Sequence, residues 1–265
     1  MIAANKKTLK SPAHMPTPLN IMGVPVVPFE TYDQALECIT EAIEANRKSF
    51  WVAINPVKIH RAWREPELLK ILRQTDVGIC DGVGVSIASK ILHGRSIKRI
   101  TGCDLFYKIL SLSSEKRWGV YLLGASAQCN AAARSKMQKM YPDLRIVGYQ
   151  DGYFENSRRV IDQINASRPD FLFVAMGSPK QEYWIWQHWP AMDVSFCMGI
   201  GGSLDIVSGS IRRAPKVFRV TGTEFLFRLV MEPRKRLSNQ RILLWFLLRV
   251  IGKRLSGAGA SIEWA

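Results

Sequence analysis

The sequence predicts an α/β fold: a Rossmann-like, mainly parallel sheet flanked by helices, with a basic helical appendage at its C-terminal end. Three observations predict it. Short apolar runs rich in Val, Ile and Phe recur along the chain, helical patterns separate them, and clusters of Gly, Asp and Ser close many of the runs. Strands buried on both faces read as continuous apolar runs, which is what a parallel sheet with crossover helices needs. At 265 residues and 47% apolar content, the chain is long enough to bury a sizeable core.

The elements follow in order. Residues 1–20 carry Lys6, Lys7, Lys10 and three prolines but no apolar segment, so they read as a flexible arm rather than a signal peptide. In 33–45, Ala35, Leu36, Ile39, Ala42 and Ile43 recur at three- and four-residue spacing, which predicts an amphipathic helix. Strands are expected at 50–54 (FWVAI), 77–80 (VGIC), 119–124 (GVYLLG), 145–149 (RIVGY), 171–176 (FLFVAM) and 194–200 (VSFCMGI). The stretch TGCD at 101–104 has the form of a capping box opening a helix. The core is expected to span 21–210 and the appendage 211–265.

A sheet of this kind binds ligands beyond the carboxyl ends of its strands. The residues to inspect are therefore Asn55-Pro56, 81–84, 124–126, 151–153, 177–182 and 199–203. Turns favour the same residue types, so no single loop is decisive. Asp81 is the best candidate for a base: it ends a short strand, glycines follow at 82 and 84, and an aspartate with its ordinary pKa of about 3.9 is ionised at neutral pH. A turn is the competing reading of its Asp-Gly pair. Asp205 has a weaker local case, and Asp151 reads as a turn. In MGSPKQE (176–182), Ser178 suits an N-cap, Pro179 the first helical position and Gln181 a capping box; the same helix start would also receive an anion.

The formal charge of +15 implies a polyanionic partner, whether nucleic acid, an anionic membrane or a phosphorylated substrate. The basic residues gather late, at Arg228, Arg234, Lys235, Arg236, Arg241, Arg249, Lys253 and Arg254, around the apolar run 242–248. Seven apolar residues cannot cross a bilayer, which takes about 20. They suit a helix lying in an anionic headgroup layer, where each cation adds about 1 kcal/mol, or a terminal helix packed on the domain with solvated charges. No nucleic-acid motif is present, which argues against a basic nucleic-acid-binding protein without catalysis. The five cysteines include no C-x-x-C pair and suit a reduced, cytoplasmic setting; the four histidines show no zinc spacing. GVGVSI (82–87) and GIGGSL (199–204) each lack the third glycine of a dinucleotide fingerprint, and there is no P-loop and no Asp-x-Asp. No cofactor or metal is expected.

Six blocks in sequence, DGVGV (81–85), RITGCDLF (99–106), VGYQDGYF (147–154), VAMGSPKQE (174–182), GIGGSLDIVSG (199–209) and RRAPK (212–216), resemble the WecG/TagA/CpsF family of bacterial glycosyltransferases over residues of about 20–240. The resemblance implies an inverting transferase that passes a sugar from a UDP-sugar to a polyprenyl-diphosphate-linked sugar, peripheral on the inner face of the plasma membrane. It favours a donor of the N-acetylmannosamine type, with UDP-glucose the alternative. It places the catalytic base on Asp81 and substrate contacts on Asn55, Arg99, Gln181 and Asp205, with Tyr153 lining the same pocket. Arg228, Arg234 and Arg236 of the appendage would lie over the diphosphate. Two departures stand out: Ala53 replaces a threonine of some relatives, and GTEFLFRL (222–229) replaces a usual GLEWLYRL.

Overall fold

The computed structural model describes residues 15–231 and 233–256; the side chains of Arg228, Arg234, Lys235, Arg236, Ser238 and Asn239 lie outside the described set. Six parallel strands form the sheet: β3 (Ser49–Ile54), β4 (Val77–Cys80), β5 (Gly119–Gly124), β6 (Arg145–Gln150), β7 (Phe171–Ala175) and β8 (Phe196–Gly199). Their spatial order is β4-β3-β8-β7-β5-β6. All but the edge strand β6 are buried along their whole length, as expected of apolar runs covered on two sides.

Alternate residues of each strand feed two separate cores. Phe50, Val52, Ile54, Leu172, Val174 and Cys197 face α2 (Pro56–Ala62), α3 (Pro66–Gln74), α4 (Val83–His93), α7 (Ser157–Ser167) and α8 (Lys180–His188). Trp51, Ala53, Phe171, Phe173, Phe196 and Met198 face α1 (Tyr32–Glu44), α5 (Gly102–Lys116), α6 (Ala127–Met140) and α9 (Ser203–Ser208). The α1 face forms as its spacing predicts, with Ala35, Cys38, Ile39, Ala42 and Ile43 buried under an N-cap from Thr31. A short antiparallel hairpin, β1 (Leu19–Ile21) and β2 (Val24–Val26), covers the free edge of β4. It comes so close that a Cβ on Gly78 would stand 2.4 Å from the Pro25 carbonyl oxygen.

The C-terminal segment forms α10 (Lys216–Val220), α11 (Glu224–Met231) and α12 (Pro233–Leu255). α12 returns to the core: Phe246 and Val250 are fully buried, Phe246 stacks on Trp63 with centroids 6.0 Å apart, and the Arg249 guanidinium covers the same indole. Its opposite side leaves Leu244, Trp245, Leu248 and Ile251 exposed. The helix thus packs on the domain along one side. Among the described residues no helix is long and apolar enough to cross a membrane.

Two local expectations need correction. Ser178 is not the N-cap of α8; Pro179 is, with no side-chain cap, and the helix begins at Lys180. Gly177, at φ +76°, turns the chain early, and the Gln181 N–H bonds back to its carbonyl. The Gln181 side chain leaves the cap and goes elsewhere. The Thr101 N-cap forms, its hydroxyl accepting the Asp104 N–H at 3.1 Å and donating to Asp104 Oδ2 at 2.8 Å, but the reciprocal bond of a capping box does not, since the Thr101 N–H goes to the Tyr32 hydroxyl.

Candidate active site

The loops after β3, β4 and β8 lie side by side at the carboxyl end of the sheet. Asp81 follows β4, and its N–H donates to the Ile54 carbonyl at 2.9 Å, which sets it beside Asn55. Gly82 lets the two loops touch, since a Cβ there would stand 3.0 Å from Pro56 and 3.3 Å from Asn55. The half-buried Asp81 carboxylate accepts the Gly102 N–H through Oδ1 at 2.8 Å. That N–H belongs to the first turn of α5, where backbone donors lack intrahelical partners and the helix dipole favours an anion. Tyr32 braces the turn by accepting the Thr101 N–H at 3.0 Å. Burial, and next the charge of Asp81, push the neighbouring Cys80 thiol up to about 12, so it stays neutral.

Asn55 caps α2, its Oδ1 accepting the Lys58 N–H at 2.9 Å. Gln181 is only 2% exposed: it accepts the Gly201 N–H at 3.1 Å and donates to Glu182 Oε1 at 3.0 Å. It thereby ties α8 to the turn after β8, and it lies so close to Gly199 that a Cβ there, 2.3 Å from Nε2, would displace it. Beneath it runs a feature with no signature in the sequence. Lys58 Nζ and Glu182 Oε1 form an ion pair at 2.7 Å with side chains 5% and 1% exposed.

Arg99 stands at the rim of the Asp81 loop, where it donates to the backbone carbonyl of Arg219. Asp205 lies on α9, its Oδ1 taken by the Cys129 thiol at 3.3 Å. Tyr153 lies in the loop that leaves β6 and crosses back over the end of β5: the Gly152 N–H donates to the Ala125 carbonyl at 2.8 Å, Phe154 packs edge-on against Trp184 of α8, and the Tyr153 side chain between them is 81% exposed. Arg228 lies in α11 and Arg234 and Arg236 in α12, with side chains outside the described residues.

Two further arginines, which reasoning from the sequence passes over, reach the site from the appendage. Arg213 and Arg219 both approach Asp104 Oδ1, Arg213 in direct contact and Arg219 at 3.6 Å. The available signal was the RRAPK block itself, which contains Arg213. An open groove of about 460 Å³ between α1 and α5 is lined by Asp33, Glu37 and Glu41. Its acidity does not suit a phosphorylated ligand. Among the described residues no three His, Cys, Asp or Glu side chains gather as a metal-binding group.

Comparison with known proteins gives this geometry a context. The family model described as "Glycosyl transferase WecG/TagA/CpsF family" matches residues 19–259. A Bacillus spizizenii (strain W23) protein named N-acetylglucosaminyldiphosphoundecaprenol N-acetyl-beta-D-mannosaminyltransferase is 34% identical over 196 residues, 74% of this chain and 76% of its own length. Proteins of the same name from Bacillus subtilis (strain 168) and Staphylococcus aureus (strain MW2) are 32% identical over 180 residues and 31% over 210 residues. They cover 68% and 79% of this chain, and 70% and 82% of their own lengths.

Proposed function

Because the chain belongs to the WecG/TagA/CpsF family of glycosyl transferases, we propose that it transfers an N-acetylmannosamine-type sugar from a UDP-linked donor to a polyprenyl-diphosphate-linked N-acetylglucosamine, with inversion, in the building of a surface polysaccharide. The acceptor follows the names of the relatives; the UDP donor and the inversion follow the family resemblance. The observation that carries the reading is Asp81, fixed by the α5 N-terminus at the carboxyl end of β4, with Arg99 at its rim.

Asp81 takes the proton of the acceptor hydroxyl as that oxygen attacks the anomeric carbon. The bond from this carbon to the diphosphate oxygen breaks on the opposite face, and its electron pair leaves with UDP. Charge gathering on the diphosphate meets Arg99 and the appendage arginines, for which Arg228, Arg234 and Arg236 are proposed. Asn55, Gln181 and Asp205 shape the donor side of the pocket, Gln181 through the Gly201 turn it holds. The exposed apolar stripe of α12 rests on the anionic inner face of the plasma membrane, where the lipid-linked acceptor resides.

The test measures UDP release from UDP-N-acetylmannosamine and UDP-glucose, each offered with a synthetic prenyl-diphosphate N-acetylglucosamine. Wild type is expected to release UDP with the first donor, and Asp81→Asn to lose roughly 10² to 10⁴ in rate while still binding UDP. Wild-type turnover by Asp81→Asn would remove Asp81 from the mechanism, and release only from UDP-glucose would reassign the donor.

A further inference from the structure

The T-G-C-D turn that holds the base also holds the appendage, and the two contacts lie within three residues of each other. Gly102 donates to Asp81, while Asp104 receives both Arg213 and Arg219. Asp104 is half-buried and fixed by its own helix cap, its Oδ2 accepting the Thr101 hydroxyl, so its Oδ1 faces the guanidiniums in a set direction. Arg213 also lies over the Tyr107 ring at 5.1 Å. Just upstream of the cap, Arg99 holds the Arg219 carbonyl.

These contacts matter because α10 has little else to hold it. It buries none of its own side chains, Val217 and Val220 are exposed, and the ring contact of Phe218 is with Phe227 of α11. Yet the end of α10 sits against the base loop: a Cβ on Gly222 would be 3.5 Å from Val83, two residues after Asp81, and 3.8 Å from Arg99. A segment attached by charge rather than by apolar burial is held at the catalytic rim. Three guanidiniums, of Arg99, Arg213 and Arg219, gather at this rim beside the carboxylates of Asp81 and Asp104.

Resting on the reading of Asp81 as the centre of a sugar-nucleotide pocket, we infer that Asp104 is a positioning residue: it clamps α10, through Arg213 and Arg219, as one wall of that pocket. The wall is present before and during the reaction, so its loss weakens donor binding in the ground and transition states alike. That raises KM and leaves kcat nearly unchanged.

The experiment uses the full chain with Asp104→Ala, Arg213→Ala and Asp104→Glu. Hydrogen exchange of amides 214–222, measured without substrate, should rise on the order of tenfold in Asp104→Ala, the scale of losing a charge-assisted hydrogen bond. Arg213→Ala, which leaves the α5 cap intact, should do the same, and Asp104→Glu should recover part of the protection. The donor KM should rise by a similar factor. Faster exchange confined to α5, or unchanged exchange in 214–222 for Arg213→Ala, would overturn the clamp. Exchange needs no turnover: if 214–222 loosens while no UDP is released by wild type, the clamp stands and the transferase reading falls.

Discussion

Lys58→Met tests the buried ion pair beneath the site. Lys58 Nζ meets Glu182 Oε1 at 2.7 Å, both side chains are almost wholly out of solvent, and Glu182 Oε2 has no hydrogen-bond partner among the described residues. Water cannot compensate the carboxylate once the lysine is gone. Removing one member of such a pair costs about 3–5 kcal/mol, because a charge is left buried and uncompensated. At about 2–4 °C per kcal/mol for a large domain, that corresponds to a melting temperature lower by roughly 6–20 °C. Replacing both members with apolar residues, Lys58→Met with Glu182→Leu, removes the uncompensated charge and should recover most of the loss. Urea unfolding followed by tryptophan fluorescence reads Lys58→Met, Glu182→Leu and the double variant. A cost under about 1 kcal/mol for Lys58→Met, or a double variant as unstable as the sum of the singles, would refute the view that these residues form one coupled, desolvated unit.

Two other expectations are quicker to check. Trp245→Glu with Leu248→Glu places charge on the exposed stripe of α12 without touching the buried Phe246 and Val250, so binding to anionic liposomes should fall roughly a hundredfold while the melting temperature holds. Unchanged co-sedimentation would count against the stripe as a membrane surface. Burial raises the thiols of Cys80 (to about 12), Cys103, Cys129 and Cys197, so native protein should alkylate at these sites far more slowly at pH 7.5 than urea-unfolded protein, and labelling should speed up as pH rises. Mass spectrometry reads each site, and rapid native labelling of Cys80 would contradict its placement.

The sheet is legible in the sequence because its strands are buried on both sides. VGIC and GVYLLG match β4 and β5 residue for residue, and VSFCMGI overshoots β8 at both ends, since apolar residues continue past the last ladder bond. The hairpin over β4 is missed because its turn, Met22-Gly23, carries a weak signal and its strands are three residues long. The place of Asp81 is legible because it depends on local order, one residue past a strand. Gln181 is harder: its local pattern reads as a cap, whereas its partner is Gly201, in the turn after β8 and 20 residues away in sequence. Lys58 and Glu182 leave no trace because a buried charge looks like a surface one until its partner is known. Tyr153 shares its block with the family pattern, but its course is not legible, because the loop after β6 turns back over the end of β5 through a contact of Gly152 with Ala125 that no local motif encodes.

The base loop is gripped from three directions: α5 donates to Asp81, Gly222 lies against Val83, and Leu243 of α12 stands 2.9 Å from where a Cβ on Gly84 would be. The last contact joins the membrane question to the chemistry. The helix that presents Trp245 and Leu248 outward is the one that presses Leu243 and Phe246 inward, so the proposed headgroup layer and the base lie on opposite sides of a single helix, about 10 Å thick. A polyprenyl diphosphate can then keep its tail in the bilayer while its terminal sugar reaches Asp81, with no need to lift the lipid out. Placing the membrane surface on α1 or α6, which pack on the other face of the sheet, would break this economy, because the acceptor hydroxyl would have to cross the sheet to meet the base. The docking of α12 on α2 and α4 is therefore as much a condition of the proposed reaction as the carboxylate itself.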